Sequence, residues 1–382
     1  MTLVTRKYSE SKGWKIAVDV CRILLALTFV FSGFVKTVDP WGTGIKVGEY
    51  LAAFDMDWLY GWRFGIGIWL NGAEMMLGLM VLFKVRLRLT TIFISCAMLF
   101  FTCLSFVLAI WNPVDDCGCF GEAIKLTNWE TFIKNLILFP MSLFVCWNSR
   151  KLPIRPTLWD GARMFVFACI AFGIGIYSYR HLPIIDFLPF KIGTNLVEAM
   201  EDDNGQDEVE VEYVFRNKRT GKIKEFESWN DDPEWEYVEH NVLSVDTKVH
   251  ASVRDFSVFD AEHDITADIL ADTNVVYMVF AGDLGDIKPR CERKLAVSVS
   301  QARSRGYRVM CITADPVVAH PDVMLLDIPV PCYNMDGTTI KTVLRAHTGV
   351  VVLRNGVIID KVNCRDMLQK GELPDYRSLK VD

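Results

Sequence analysis

The residues best suited to chemistry are two cysteines in the segment Asp115-Asp116-Cys117-Gly118-Cys119-Phe120-Gly121-Glu122. Only Gly118 separates them, so Cys117 and Cys119 can form a disulfide only if the chain turns sharply between them. Glycine permits the positive φ angle that such a turn needs. A ring this small is strained, and strained disulfides tend to be oxidising and labile. The spacing therefore favours thiol–disulfide exchange at this redox pair.

Other interpretations of the pair stay open at this point: a structural disulfide, a metal site or no role. Asp115, Asp116 and Glu122 would raise a thiol pKa, disfavour the nucleophilic thiolate and favour the oxidised pair. Cys-x-Cys is a weak zinc pattern here because no further ligands lie nearby. The six histidines show neither metal spacing nor the order of a catalytic triad.

The composition indicates a membrane protein with a second, more polar half. The chain has 382 residues, enough for two or three domains, and 51% of them are hydrophobic. The apolar excess lies in the first half, whereas acidic residues cluster after residue 198. The net charge is −6 and no basic run occurs, so no nucleic-acid partner is expected. Five of the eleven cysteines lie in apolar segments, where a thiol acts as a small hydrophobe: Cys21, Cys96, Cys103, Cys146 and Cys169.

Five apolar segments have about the ~20 residues that a helix needs to cross the hydrocarbon core. We predict spans over 16–36, 65–83, 89–111, 129–148 and 163–181. The first follows a basic N-terminus but lacks a small-residue cleavage site, which indicates an uncleaved span rather than a signal peptide. If 163–181 were instead a buried soluble helix, the C-terminal half would be cytoplasmic.

Lysine and arginine in the connections predict the orientation. The basic flanks fall on one side of the membrane, which should be the cytoplasm. They contain Arg6, Lys7, Lys12, Lys15, Lys84, Arg86, Arg88, Arg150, Lys151, Arg155 and Arg163. The opposite loops, 37–63 and 112–128, carry more aspartate and several tryptophans, as at an outer interface. We expect a multi-pass protein of the bacterial inner membrane with a cytoplasmic N-terminus and a periplasmic C-terminal domain.

Several polar residues lie within the predicted spans. Ionisable groups at such depth face the bundle interior and require partners. The predicted intramembrane polar cluster consists of Ser32, Lys36, Asn71, Glu74 and Asn135. It could line a cavity for a quinone, a proton or a lipid-like ligand. It could equally provide hydrogen bonds between helices, with a neutral Glu74.

These features together resemble the DoxX/MauE (methylamine-utilisation MauE-like) membrane family. The similar segments are Ser32-Gly33-Phe34-Val35-Lys36, Lys46-Val47-Gly48-Glu49-Tyr50-Leu51, Glu74 before a Gly-Leu-rich run, Cys117-Gly118-Cys119-Phe120-Gly121, and Trp129 with Asn135. The resemblance covers roughly 16–148. It implies a four-helix membrane bundle, distantly like vitamin K epoxide reductase-type bundles, linked to disulfide formation in exported proteins and to quinone redox. Methylamine use is not carried over, and the full layout resembles DoxX-family proteins of Bacteroidetes-type bacteria.

The whole chain divides into four parts. Residues 1–150 would form the four-helix domain and 151–197 the fifth span with a surface segment. Residues 198–253 would form an acidic linker with a β-hairpin of Val209–Phe215 and Lys222–Phe226 around a turn at 217–221. Residues 254–382 alternate strand and helix patterns, which predicts an α/β fold. The predicted fold class is thus an all-α membrane bundle followed by an α/β domain.

The α/β pattern resembles thioredoxin-like domains but departs from them in the functional positions. The segment 255–260 looks like their first strand, and Val275–Phe280, a helix over Ile287–Ser304, Tyr307–Thr313 and a hairpin around Asn355-Gly356 follow. The Cys-x-x-Cys site is replaced by 281–286, the nearest thiol is Cys291, and Thr348 stands in place of the active-site proline. We therefore expect this domain to be redox-inactive and to bind or position a partner. Cys311 is expected to pack in the core, with Cys332 and Cys364 structural.

Three functions compete. The first is thiol–disulfide exchange between Cys117/Cys119 and exported protein substrates, with electrons passing to a cofactor such as a quinone. The second is a non-enzymatic membrane assembly factor or complex subunit whose outer domain grips another protein. The third is a small-molecule carrier, which the lack of an internal repeat disfavours. The sequence does not decide whether the chain is an enzyme, which partner it has or which cofactor it binds.

Overall fold

The protein is described here by a computed structural model. It describes residues 12–114, 116–149, 157–204, 211–217, 223–226, 235–242, 253–260, 263–316, 321–367 and 372–378. Several residues used in the predictions lie outside this described part of the chain: Arg6, Lys7, Asp115, Arg150, Lys151, Arg155 and the hairpin turn at 218–222.

Five long apolar helices confirm the predicted spans. They are α1 (Lys12–Val38), α3 (Arg63–Leu82), α4 (Leu87–Trp111), α5 (Asn128–Ser149) and α6 (Trp159–Arg180). Each is long and apolar enough to cross a membrane. Much of their surface remains exposed and apolar, as expected for helices surrounded by lipid.

Helices α1 and α3 approach each other closely through small residues. A Cβ atom on Gly33 of α1 would lie 2.4 Å from the backbone nitrogen of Met75 in α3. One on Gly78 would lie 2.7 Å from the backbone nitrogen of Val30. Small residues allow such contact between membrane helices. This contact fixes the relative positions of Lys36 on α1 and Glu74 on α3.

The connection between α1 and α3, predicted as a loop over 37–63, contains a helix, α2 (Pro40–Ala53). Asp39 caps it by accepting a hydrogen bond from the Gly42 backbone N–H at 3.0 Å, and Pro40 occupies the first helical position. Trp41 of this helix is almost fully buried. It packs against Phe64 of α3 and Tyr179 of α6. Helix α2 therefore lies folded onto the ends of the spans.

A short helix and a small sheet follow the fifth span. Helix α7 (Leu196–Asn204) comes first. Strands β1 (Val211–Asn217), β2 (Ile223–Phe226) and β3 (Trp235–Val242) then form an antiparallel sheet in the order β2-β1-β3. The predicted hairpin is present as β1 and β2. Residues 235–242, for which we predicted no strand, form a third strand that pairs with β1. Alternation of large side chains in Trp235–Val242 is compatible with such a strand.

The C-terminal part is a mixed sheet with helices on it. In the described residues, eight strands follow the order β11-β10-β6-β7-β9-β4-β5, with β8 paired to β9. They are β4 (Phe259–Asp260), β5 (His263–Asp264), β6 (Val275–Ala281), β7 (Arg308–Thr313), β8 (Asp322–Leu325), β9 (Ile328–Asn334), β10 (Thr348–Arg354) and β11 (Val357–Asn363). The helices are α8 (Thr266–Leu270), α9 (Pro289–Ser304) and α10 (Gly337–Leu344). We call residues 253–378 the outer domain.

This sheet agrees with most of the predicted elements and corrects two. Strand β6 is fully buried, and β10 and β11 form the predicted hairpin. Helix α9 begins at Pro289 rather than Ile287, because proline suits the first helical turn. In the segment 255–260 only Phe259–Asp260 is a strand, near the sheet edge, and Val253–Asp255 is a 3-10 turn. There Phe259 pairs with Asn334 of β9, and Phe259 and Asp260 pair with β5.

The cysteines of the outer domain differ from expectation in one respect. Cys291, predicted to be alone, is joined to Cys364 by a disulfide across 73 positions, with Cα atoms 5.7 Å apart. The pairing was not visible in the sequence because the sheet brings the end of β11 beside the first turn of α9. Cys311 and Cys332 face each other across β7 and β9 and are buried in the core, as predicted.

Candidate functional site

The cysteine loop connects α4 to α5 and turns at two glycines. Gly118 has a φ of +62° and Gly121 a φ of +53°, a region that glycine reaches without steric cost. Two isolated β-bridges, Asp116 to Thr127 and Phe120 to Ile124, close the loop on itself. The turn at Gly118 places the two cysteine side chains on the same side of the loop.

Cys117 and Cys119 are free thiols whose sulfur atoms lie 2.9 Å apart. A disulfide bond is about 2.05 Å long, so less than an ångström of approach separates this arrangement from the oxidised pair. Both side chains are half-buried. The turn predicted from Cys-Gly-Cys is therefore present, and the pair is arranged for both redox states.

The backbone of the cysteine loop is held by hydroxyl groups from the bundle. Ser32 of α1 donates a hydrogen bond to the carbonyl oxygen of Cys119 at 2.5 Å. Tyr50 of α2 donates one to the carbonyl oxygen of Cys117 at 3.0 Å. Each cysteine is thus tied to a different helix. These contacts fix the loop against the outer ends of α1 and α2.

The side chain of Cys119 lines a small cavity in the bundle. The cavity also touches Ser32, Lys36 and Glu74, and Asn135 closes it from α5. Lys36 and Glu74 form an ion pair. The residues predicted separately as a redox pair and as an intramembrane polar cluster therefore belong to one site.

The remaining predicted polar residues serve as supports. Asn71 does not line the cavity; its amide donates to the Lys36 carbonyl at 2.9 Å and to Thr43 Oγ1 at 3.0 Å. Asn135 donates to Ser105 Oγ at 3.1 Å and to the Phe101 carbonyl at 3.2 Å. Both amides therefore also make the interhelical hydrogen bonds of the alternative interpretation.

One functional residue was missed by sequence reasoning, namely Lys134 of α5. It lines the same cavity, and its ammonium lies 4.3 Å from the centre of the Phe120 ring. An ionisable side chain inside a predicted span is itself a signal. Its position directly before Asn135 could have placed it in the polar cluster.

The two thiols have opposite pKa shifts. The pKa of Cys119 is lowered to about 6, first by its hydrogen bond with Cys117 and then by the positive charges of Lys134 and Lys36. The pKa of Cys117 is raised, because that same hydrogen bond favours its protonated form and burial adds to the effect. Cys119 is therefore the thiolate of the pair and Cys117 the thiol.

The acidic neighbours do not raise the pKa of Cys119 as the sequence suggested. Asp116 is paired with Lys46 at 3.3 Å, and Glu122 is paired with Lys125 at 3.1 Å. Asp115 lies outside the described residues. Carboxylates that are paired with cations repel a thiolate only weakly. The positive charges of Lys134 and Lys36 therefore still lower the pKa of Cys119.

The cavity does not accommodate a quinone in this structure. Its volume is about 40 Å³, room for a few water molecules, whereas pockets for small organic ligands measure ~300–1,000 Å³. The donors Ser32 and Lys134 could bind a carbonyl oxygen, but the space for a ring is lacking. We therefore derive no step that passes through a quinone. The cavity instead suits water and protons beside Cys119.

Comparison with known proteins gives one result for the membrane half. No curated protein and no solved structure gives a significant match to the chain. Residues 14–148 match the model of the family described as methylamine utilisation protein MauE. The matched segment contains α1 to α5, the cysteine loop and every residue of the polar cluster. The membrane part of this chain, from the first span to the fourth, is therefore MauE-like.

Proposed function

We propose that this protein is a thiol–disulfide exchange protein of the bacterial inner membrane, with Cys117 and Cys119 as the exchanging pair. The observation that carries the proposal is the 2.9 Å approach of the two sulfurs on a cavity that holds a buried ion pair. Thiol pairs arranged in this way interconvert between dithiol and disulfide with little backbone movement. Both cysteines lie in the membrane part that matches the MauE family model over 14–148.

The exchange balances without any further reagent. A thiolate of an exported protein attacks one sulfur of the Cys117–Cys119 disulfide, the S–S bond breaks, and a mixed disulfide forms. The second thiol of that protein, as thiolate, then attacks the mixed disulfide. The exported protein leaves oxidised, and Cys117 and Cys119 are left as two thiols that have gained two electrons and two protons. The reverse sequence reduces or isomerises a disulfide.

The charges at the site assign different roles to the two cysteines. Cys119, with its pKa lowered to about 6, is the better leaving group in the forward exchange. An incoming thiolate would accordingly attack Cys117 and release Cys119 as the thiolate beside Lys36 and Lys134. In the reverse direction Cys119 is the attacking nucleophile. The Lys36–Glu74 pair lines the same cavity as Cys119, where a proton must be taken up or released.

For the outer domain we propose a thioredoxin-like fold and a periplasmic location. The β6-α9-β7 unit with parallel strands, followed by the β10–β11 hairpin, supports the fold. The Cys291–Cys364 disulfide supports an oxidising compartment. The described basic residues Lys84, Arg86 and Arg88 lie at the opposite end of the spans and support a cytoplasmic side there.

The experiment is to replace Cys117 and Cys119 with serine together in the native organism and to compare the disulfide state of exported proteins. The matched control is Cys96→Ser with Cys103→Ser, two exposed cysteines of α4. We expect the disulfide states of exported proteins to change only in the first strain. Unchanged disulfide states in both strains would reject the proposal.

A topology reporter tests the placement independently. A periplasm-specific reporter fused after Gly121, and a second one after Gly306, should both be active. Activity of a cytoplasmic reporter at both positions would overturn the proposed location, since glutathione keeps thiols reduced there.

A further inference from the structure

The outer domain contacts the cysteine loop through one buried arginine. Helix α10 ends at Arg345, which adopts a left-handed conformation with a φ of +51° and has only 2% of its surface exposed. Its Nη2 atom lies 3.0 Å from Oδ2 of Asp39 and 3.6 Å from Oε1 of Glu122. Asp39 is the N-cap of α2, and Glu122 lies in the cysteine loop, three residues after Cys119. One guanidinium thus joins the outer domain, helix α2 and the candidate site.

Aromatic contacts surround this ion pair. His347, two residues after Arg345, packs edge-on against Trp41 with ring centres 4.8 Å apart. Trp41 is itself packed on Phe64 and Tyr179, which belong to two of the spans. The turn between α10 and β10 therefore rests on the assembled ends of the helices, not on a single loop.

The end of β11, which pairs with the start of β10 beside Arg345, is fastened as well. Asn363, at the end of β11, donates a hydrogen bond to the Arg180 carbonyl of α6 at 3.3 Å. Asp366 pairs with His181 at the end of the same helix. Lys361 is buried and pairs with Asp186 at 2.7 Å. Together with the contacts of Arg345 and His347, these contacts hold this end of the sheet on the bundle.

Both acidic residues that flank the cysteines in the described chain are paired with cations. On one side, Lys46 of α2 reaches Asp116 at 3.3 Å. On the other, Arg345 and Lys125 meet Glu122. Although burial would raise the pKa of Glu122, these two cations hold it below its ordinary value, so Glu122 is ionised at neutral pH. At Asp39 the effect of burial exceeds that of Arg345 and the pKa is raised. Glu122 is thus the firmer ionic partner.

A buried ion pair is better suited to fixing a position than to adding stability. Desolvation of both charges cancels much of the attraction between them. What remains is geometric specificity, because an unpaired guanidinium or carboxylate in the same place is strongly unfavourable. The placement of the cysteine loop seen here brings Glu122 to Arg345 together with Asp39.

We infer that the outer domain is a working part of the cysteine site, and that Arg345 is the positioning residue that holds the Cys117–Cys119 loop over the bundle cavity. The inference rests on the proposed exchange for its biological purpose. Its physical content, that an outer-domain side chain controls the surroundings of Cys119, can be measured without any exchange assay. The inference gives the outer domain a role in the cysteine site of its own chain, and not only in binding other proteins.

The experiment measures the rate of alkylation of Cys119 against pH, in the full chain in lipid nanodiscs, with peptide-level mass spectrometry to separate the cysteines. In Arg345→Met the loop loses its place beside Lys36 and Lys134. We expect the midpoint of the Cys119 profile to rise by ~1 pH unit, toward that of an ordinary thiol. Arg345→Lys retains the charge and should keep at least half of the native shift.

Two controls define the comparison. Arg305→Met removes a partly exposed arginine whose side chain hydrogen-bonds to the Pro374 carbonyl of the outer domain; its profile should match the native one. Lys134→Met acts directly on Cys119 and should raise the midpoint whether or not Arg345 matters, so it shows that the assay responds.

A second variant covers the case in which Arg345→Met fails to fold because two acids are left buried. The triple variant Arg345→Met, Asp39→Asn and Glu122→Gln removes all three charges together. Loss of two carboxylates would by itself lower the Cys119 midpoint, so a rise in this variant reports loss of positioning. A midpoint within ~0.3 pH unit of the native value in the triple variant overturns the inference.

The result is separable from that of the proposed function. A raised midpoint with unchanged disulfide states in the Cys117→Ser/Cys119→Ser strain keeps the positioning role and rejects the exchange. An unchanged midpoint with altered disulfide states keeps the exchange and rejects the positioning role.

Discussion

Two of the cysteine pairs described above enclose very different lengths of chain. Cys117 and Cys119 enclose one glycine, whereas Cys291 and Cys364 are 73 positions apart. In the chain-entropy view, a cross-link stabilises by restricting the unfolded chain, and the effect grows with the logarithm of the loop length. The long loop would contribute about 4 kcal/mol, and the three-residue loop much less. The outer pair is therefore suited to stability and the membrane pair to chemistry.

The surroundings of the two pairs agree with this division. Cys364 is 5% exposed, and both outer cysteines pack in the core between α9 and the sheet. Cys117 and Cys119 are instead half-buried, and Cys119 lines a cavity together with charged side chains. A pair that must react needs access and a stabilised thiolate, whereas a structural pair needs neither.

The largest expected effect is on stability. Cys291→Ala with Cys364→Ala should lower the free energy of unfolding of the outer domain by about 4 kcal/mol. Cys117→Ala with Cys119→Ala should lower the free energy of unfolding of the membrane bundle by less than ~1 kcal/mol. A cross-link between these two cysteines would restrict only a very short stretch of the unfolded chain. Pulse proteolysis of the full chain in urea measures both. Equal losses in the two variants would remove the distinction between the pairs.

The next effect concerns the charge beside Cys119. Its lowered pKa of about 6 means that alkylation should rise as the pH passes 6 and level off above it. Lys134→Met removes one stabilising cation, so the pKa should rise and the rate at pH 6.5 should fall by ~10-fold. Lys84→Met, at the other end of the bundle, is the matched control. No change in Lys134→Met would show that the cavity charge does not reach the thiol.

A smaller effect is expected from the hydroxyl that holds Cys117. Tyr50→Phe removes the hydrogen bond to the Cys117 carbonyl and should cost about 1 kcal/mol of stability, as for a typical buried hydrogen bond. Thermal unfolding in nanodiscs measures it. Tyr60→Phe, a change at an exposed tyrosine, should leave the melting temperature unaltered. Equal melting temperatures for the two variants would mean that Tyr50 does not hold the loop.

The smallest effect is expected at the ion pair. Neutralising both members, Lys36→Met with Glu74→Gln, removes one charge that lowers the pKa of Cys119 and one that raises it. The alkylation rate of Cys119 at pH 6.5 should therefore change by only ~3-fold or less. Lys36→Met alone should slow it more, because Glu74 then acts without its partner. A larger change in the double variant than in the single one would contradict this view of the cavity.

The sequence predicted the spans well, because length and apolar composition are local properties. Each of the five helices overlaps its predicted segment, and polar residues such as Asn71 and Glu74 marked the inward face of α3. The Cys-Gly-Cys turn was also local, since Gly118 alone decides it. Helix α2 was missed because its pattern is short and mixed, although Asp39-Pro40 is a capping signal that could have revealed its start.

What the sequence alone determined is thus the membrane bundle, the turn that brings two sulfurs together, and the need of the buried charges for partners. Only the tertiary structure decided which partners they have: Lys36 with Glu74, Lys134 beside Cys119, Arg345 with Asp39 and Glu122, and Cys291 with Cys364. Periodicity and composition act over a few residues, whereas these contacts join residues far apart in the chain. Their formation depends on how the helices and the sheet pack, which no local pattern encodes.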